Sequence, residues 1–329
     1  MRFSPRAKGL IAAAVTVALW TSFIVIARAS VQRTLTPLDI ALLRIVGASL
    51  VLLPWGWWLV RRRPLALGSA APRASLLNIS PLPLRTTALL GAAGGLLYTL
   101  LAYSGFAYAP ATHAAVLMPG SLPLWTALLA AALLGDRLTP LRAAGLVLIL
   151  AGDLLVGGRS LLGAAAGTSV WKGDLMFMLA ALSWAAYSVL ARKHAVDAVH
   201  ATIAITAFAC AVYVPSYALL VGLGMVTSRL SAAPWGEMAF QMVFQGWGSV
   251  VISGITFTRM IQYFGPVRST MITALVPGLS AIGAVVFLAE PLYWNLVAGL
   301  MLVTGGILLG VLRARPLPAP QPAAPRTTP

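Results

Sequence analysis

Between residues 9 and 312 the sequence is a series of apolar runs separated by brief polar breaks. Crossing a bilayer takes roughly 20 apolar residues in a helix. Ten runs reach about that length, at 9–28, 38–60, 85–108, 112–134, 140–157, 173–191, 201–223, 237–263, 267–289 and 292–312. With 60% of the chain hydrophobic and only 9% charged, there are too few charges to cover a water-exposed globule. The expected fold class is an all-α membrane protein with ten transmembrane helices.

The chain also repeats itself. Shifted by 154 residues, Pro123 falls on Pro277, Asp136 on Glu290, Gly145 on Gly299 and Gly152 on Gly306. Over 123–155 this register gives 12 identities in 33 positions. At the start of each half a shift of 164 matches Lys8, Gly9, Trp20, Val25, Ala27 and Arg28 to Lys172, Gly173, Trp184, Val189, Ala191 and Arg192. The expected division is a first five-helix repeat over 8–157, a Gly/Ala/Ser-rich linker over 158–171, a second repeat over 172–312 and a disordered tail over 313–329. Five spans is an odd number, so the second copy enters the membrane with opposite polarity. Inverted repeats of this kind are a transporter signature, because two related pathways can open to opposite sides in turn.

The formal charge of +16 does not indicate a nucleic-acid partner, because the 23 Lys and Arg residues lie between apolar runs without a clustered basic face. They set orientation. With the N-terminus inside, sixteen fall in cytoplasmic segments and five outside, with Arg44 and Arg259 within spans. This bias gives the expectation that both termini are cytoplasmic, and the expected location is the inner membrane. The first run follows Arg2, Arg6 and Lys8 as a signal peptide's would, but it is long and is repeated internally, so it is expected to be a retained helix. Cys210 is the single cysteine, and His113, His194 and His200 form no ligand pattern, so neither a metal nor a cofactor is expected. Trp55, Trp57, Trp58 and Trp235 fall near span ends and suit an interfacial belt.

Candidate functional residues follow from matched depth. Trp20 and Trp184 lie mid-span in the first and sixth helices, and Pro123 and Pro277 mid-span in the fourth and ninth. Proline removes a backbone donor and frees a carbonyl, which lipid tolerates only beside protein or a wet cavity. The two prolines are therefore candidate kinks or gates on a central cavity. In the eighth run Glu237, Gln241, Gln245, Ser249, Thr256 and Arg259 follow one stripe at helical spacing. Gln245 and Ser249 are too deep to be interfacial and are candidate cavity groups, with Tyr98, Tyr103, Ser183 and Tyr187 completing an aromatic and hydroxyl-bearing set; His113, at the start of the fourth run, is a candidate substrate or gate residue or else an interface histidine. Arg44 stands about two turns inside the second run, where an uncompensated arginine costs ~2.5–3.5 kcal/mol. It is expected to reach the interface or to pair with Asp39 or Glu237, with a substrate carboxylate as a further option; Arg259 is a second candidate charge partner.

No acid is expected near a span centre, Asp153 being placed about one turn from an end. Neither a paired acid and base nor a metal constellation is present, so an enzyme is not expected. The glycines of the fifth and tenth runs allow close helix contacts, within the chain or across a homodimer.

Several of these stretches together resemble the EamA-type permeases of the drug/metabolite transporter superfamily: A-L-W-T-S-F at 18–23 with S-W-A-A-Y at 183–187, P-L-D-I-A-L-L-R at 37–44, and the block from Pro123 to Leu138 with its echo from Pro277 to Leu292. Thr21 and Ala185 stand where that family usually has glycine after the tryptophan. The resemblance implies a cavity lined mainly by helices 1, 3, 4, 6, 8 and 9, and export or exchange of small metabolites, with aromatic amino acid exporters prominent. The leading expectation is a secondary transporter of a small amphipathic metabolite, an amino acid first. The alternatives are a carrier of drugs or lipid-linked solutes, and a non-transporting membrane assembly or sensor protein.

Overall fold

The computed structural model describes residues 4–62 and 75–311. The tail expected over 313–329 lies outside the described residues, as does most of the proline-containing connection after Arg62. The chain is an all-helical membrane protein of two inverted five-helix repeats. The first repeat comprises α1 (Pro5–Val31), α2 (Pro37–Arg61), α3 (Leu84–Tyr108), α4 (Ala111–Leu134) and α5 (Pro140–Ala164). The second comprises α6 (Val170–Lys193), α7 (Ala198–Gly222), α8 (Trp235–Phe264), α9 (Met271–Leu288) and α10 (Trp294–Val311). Among the described residues nine helices are long and apolar enough to cross a membrane, and α10 contributes a shorter apolar segment, Trp294–Gly310. The face at which α1 begins is called here the near face, and the opposite one the far face.

Local chemistry marks the boundaries. Thr36 caps α2 by accepting from the Asp39 amide at 3.2 Å while the Asp39 carboxylate accepts from the Thr36 amide at 2.9 Å, a reciprocal capping box. Thr139 and Asp197 cap α5 and α7, and prolines 5, 37 and 140 open their helices where no intrahelical N–H is needed. Gly135 closes α4 in the left-handed conformation, φ 71°.

Contacts between helices obey a pseudo-two-fold. The packing of α1 on α8 is repeated by α6 on α3, that of α1 on α9 by α6 on α4, and that of α2 on α8 by α7 on α3. The pairs α2·α7 and α5·α10 lie on the axis. At the α5·α10 contact a Cβ on Gly145 would stand 2.6 Å from the Gly306 carbonyl oxygen, and one on Gly152 2.7 Å from that of Gly299. The glycines that sequence left open to intrachain or interchain use are consumed inside the chain.

Three expectations about helix geometry are corrected. The prolines do not kink continuous helices. The fourth span is interrupted between Leu117 and Leu122, and Pro123 sits in the first turn of the segment that restarts; the ninth is interrupted at Ala274, and Pro277 sits in the first turn of Leu275–Leu288. A first turn has no intrahelical N–H to lose, so proline is accommodated there at little cost. Helical hydrogen bonding runs from Ser253 to Thr273, so the short break expected near 264–266 is not a loop. And α5 extends to Ala164, through half of the stretch expected as linker, which moves Asp153 from near an end to the middle of the helix.

Candidate functional site

A cavity of about 450 Å³ lies on the pseudo-two-fold, between the halves. Its lining begins about seven residues below the far ends of α1, α2 and α4, at Ile24, Arg44 and Met118. At 1.5 Å per residue that is roughly 10 Å of protein above it. In the other direction it reaches Ala198, the first residue of α7, and Gln262, near the end of α8. The cavity is therefore open to the near face and roofed on the far side.

Two features of backbone shape the walls. Both α3 and α8 widen from α-helical to π-helical turns, over Gly91–Leu97 and Met242–Ile252. Such widenings are often found at functional sites. They occupy equivalent places in the two repeats, and Gly94, Gly95, Ser249 and Val250 within them line the cavity. The wider turns also break the stripe expected along α8. Gln241 turns to α1, donating to the Ser30 hydroxyl at 2.7 Å; Thr256 meets Thr16 of α1 at 2.8 Å; Arg259 is exposed.

The side walls are aromatic. Trp20 packs on Phe257 (centroids 5.1 Å) across α1·α8, and Trp184 packs on Tyr98 (4.8 Å) across the equivalent α6·α3 contact, with Tyr187 beside it (5.0 Å). Thr99, Ser188, Thr202, Thr206, Ser249 and Ser253 supply hydroxyls. Among the described residues Arg44 is the one ionic side chain on the lining.

Of the sequence-derived candidates, Trp20, Tyr98, Trp184, Tyr187 and Ser249 line this cavity, together with Arg44. His113, Ser183 and Gln245 do not. His113 Nδ1 lies 2.9 and 3.1 Å from the Asp174 carboxylate, which also accepts from Ser160, forming a polar cluster among α4, α5 and α6 near the far face. Ser183 is buried and donates to the Ala93 carbonyl at 2.7 Å, so its hydroxyl is spent on helix packing. Gln245 is fully buried behind the wall, and its carbonyl accepts from Arg44 at 3.3 Å. Nor do Pro123 and Pro277 face the cavity; their neighbours Leu122, Pro119 and Val276 do.

The expected pairing of Arg44 is also corrected. Asp39 is occupied by the amides of Thr36 and Arg229 and the hydroxyls of Tyr217 and Ser228, and Glu237 forms no ion pair among the described residues. Arg44 instead lies over the Phe23 ring at 5.4 Å.

The roof is an aromatic plug. Phe23, Tyr103, Phe106 and Phe177 are buried and interlock, with centroid separations of 4.9–6.3 Å. Above it Arg28 meets Glu290 at 3.5 Å and donates to the Phe106 carbonyl. Both Glu290 oxygens accept backbone amides at the start of α4, from Ala111 and Thr112, each at 2.9 Å. The repeat-related pair lies on the near face, where Arg192 grips Asp136 with two hydrogen bonds at 2.7 and 3.0 Å. That pair is much more exposed.

This two-repeat helical architecture around a central one-sided cavity is that of a membrane transporter. The chain belongs to the EamA-like transporter family, whose model matches residues 7–158 and again 171–312. It is 27% identical over 227 residues, 68% of this chain and 72% of the other, to a Bacillus subtilis (strain 168) protein described as an uncharacterized transporter, YyaM. A solved structure described only as "Crystal structure of protein" shares the fold at a TM-score of 0.56 and 24% identity, covering 95% of this chain and 100% of that one.

Proposed function

We propose that the chain is a secondary transporter that exports or exchanges a small amphipathic metabolite, an amino acid being the leading cargo, across the inner membrane by alternating access. The observation that carries this reading is the cavity itself: central, aromatic-walled, hydroxyl-bearing and open toward one face only. An amphipathic solute can lay an apolar body on Trp20, Tyr98, Trp184 and Phe257 while its polar end meets the hydroxyls and Arg44. Matched pairs at the two faces, Arg28–Glu290 and Arg192–Asp136, join the two repeats at related positions, as halves that exchange roles between access states require. A non-transporting assembly or sensor protein would instead favour a filled interior.

Purified protein in liposomes loaded with single amino acids tests this. Efflux faster than from protein-free liposomes, reduced in Trp184→Ala, is the expected result. Equal efflux for every amino acid tried removes amino acids as the cargo.

A further inference from the structure

Arg44 is a cation without a counter-ion. It is 8% exposed, sits inside the membrane-spanning part of α2, and makes no ion pair among the described residues. Its contacts are the Gln245 backbone carbonyl at 3.3 Å and the Phe23 face at 5.4 Å. A guanidinium carries five N–H donors in a planar fork, so a carbonyl and a ring leave most of that capacity unused. The plug of Phe23, Tyr103 and Phe106 closes the far side above it, and the cavity is its route to water. Among the described residues no aspartate or glutamate lines that cavity. Ser249, one turn beyond Gln245, is a residue of the lining whose buried hydroxyl is likewise without a hydrogen-bond partner.

A lone buried cation is costly unless something neutralises it. We infer that the cargo does so: Arg44 anchors the carboxylate of an amphipathic solute whose ring or apolar body lies on Trp20, Tyr98 and Trp184, with Ser249 donating to the same head group. The inference deepens the transport reading and rests on it for the word cargo. It also separates two chemistries. A carboxylate is required, because Arg44 is the only charge offered by the described lining. An ammonium group is dispensable, because no acid on that lining receives it. The solute class is therefore aromatic or aliphatic monocarboxylates, amino acids being those members that carry an ammonium as well.

Three probes sharing one ring test this: 3-phenylpropanoate (carboxylate alone), phenylalanine (both groups) and phenethylamine (ammonium alone). Binding is read on the purified full chain by quenching of tryptophan fluorescence, and flux separately in proteoliposomes. The expected result is saturable binding of the two carboxylates and at least tenfold weaker binding of phenethylamine. Arg44→Gln should lose about tenfold or more for both carboxylates, and Arg44→Lys should recover part of it, keeping the charge without the fork. Size-exclusion profiles matching the unmodified chain certify that each variant is folded; if Arg44→Gln does not fold, the Arg44→Lys titration and the three-probe ranking carry the test. Phenethylamine binding as well as the carboxylates, carboxylate affinity unchanged in a folded variant, or no carboxylate binding at all overturns the anchor. Arg44-dependent binding without flux leaves the anchor standing and removes the transport reading instead.

Discussion

Arg28 and Glu290 come from opposite repeats and meet on the far face at 3.5 Å; their repeat partners, Arg192 and Asp136, meet on the near face at 2.7 Å. The two contacts are chemically alike but not equal. Glu290 also caps α4 through the Ala111 and Thr112 amides. At the position equivalent to Thr112 the second repeat has Pro266, which has no N–H to offer. Sequence thus makes the far-face contact the stronger, in keeping with a cavity open on the near side.

Stability measurements should report this inequality. Glu290→Ala removes the acceptor of three donors in a mostly buried site and should cost about 3 kcal/mol or more. Asp136→Ala breaks a solvent-exposed pair and should cost no more than about 1 kcal/mol. Thermal unfolding of the two variants side by side in one detergent checks the order. Equal losses would mean that the α4 cap adds nothing.

Salt, rather than pH, should act on the near face. The hydrogen bond from Arg192 holds the Asp136 carboxyl below its ordinary value of 3.8. A group whose folded pKa is depressed contributes above its unfolded pKa and is lost only as pH falls through the folded value. The pair is consequently complete throughout the neutral range, while mobile ions screen it over a Debye length of about 8 Å at 0.15 M. In a Cys210→Ser background, labelling of Thr202→Cys, normalised at each pH to that of the same unfolded chain so that thiolate formation cancels, should change with ionic strength and stay level between about pH 6 and 8. A pH response in that window would show that a group other than the Asp136 carboxyl controls access from this face.

Neighbouring residues on α6 separate packing from cargo. Trp184 faces the cavity, whereas Ser183 ties α6 to α3 through the Ala93 carbonyl. Trp184→Ala should weaken carboxylate-probe binding and flux with the fold kept. Ser183→Ala should lower stability by about 1 kcal/mol and leave binding unchanged. Fluorescence titration beside thermal unfolding distinguishes the two, and the opposite pattern would place the cargo on the other side of the helix.

This pair also shows how far the sequence was legible. Spans, inversion and the matched tryptophans follow from apolar length and repeat spacing, because both are set along one chain. Which face of a mid-membrane helix meets the cavity depends on its neighbours. The π-helical turns of α3 and α8 rotate Gln245 behind the wall and leave Ser249 on it, and no i, i+4 count anticipates that. The run Gly91-Ala-Ala-Gly-Gly95 was a signal for the wide turn in α3, since small residues allow another helix to approach closely there. Phe257 and Thr202 carried no comparable mark. Arg44 was conspicuous, but its lack of a partner became visible only once Asp39 proved to be occupied.

Asp153 is the clearest case of a position that helix length redefines. With α5 extending to Ala164 it lies mid-helix and 4% exposed, with no hydrogen-bond partner for either carboxyl oxygen. Its repeat equivalent, Ile307, is a buried apolar residue of α10. A buried polar group without a partner costs about 1–3 kcal/mol, and an apolar replacement of similar shape recovers much of that. Asp153→Leu is therefore expected to raise the unfolding temperature, and Asp153→Asn to leave it nearly unchanged because the orphaned polar group remains. If flux also falls in the stabilised Asp153→Leu variant, the carboxyl is kept for transport at the expense of stability. A lower unfolding temperature in that variant would instead show that Asp153 has a stabilising partner in the membrane.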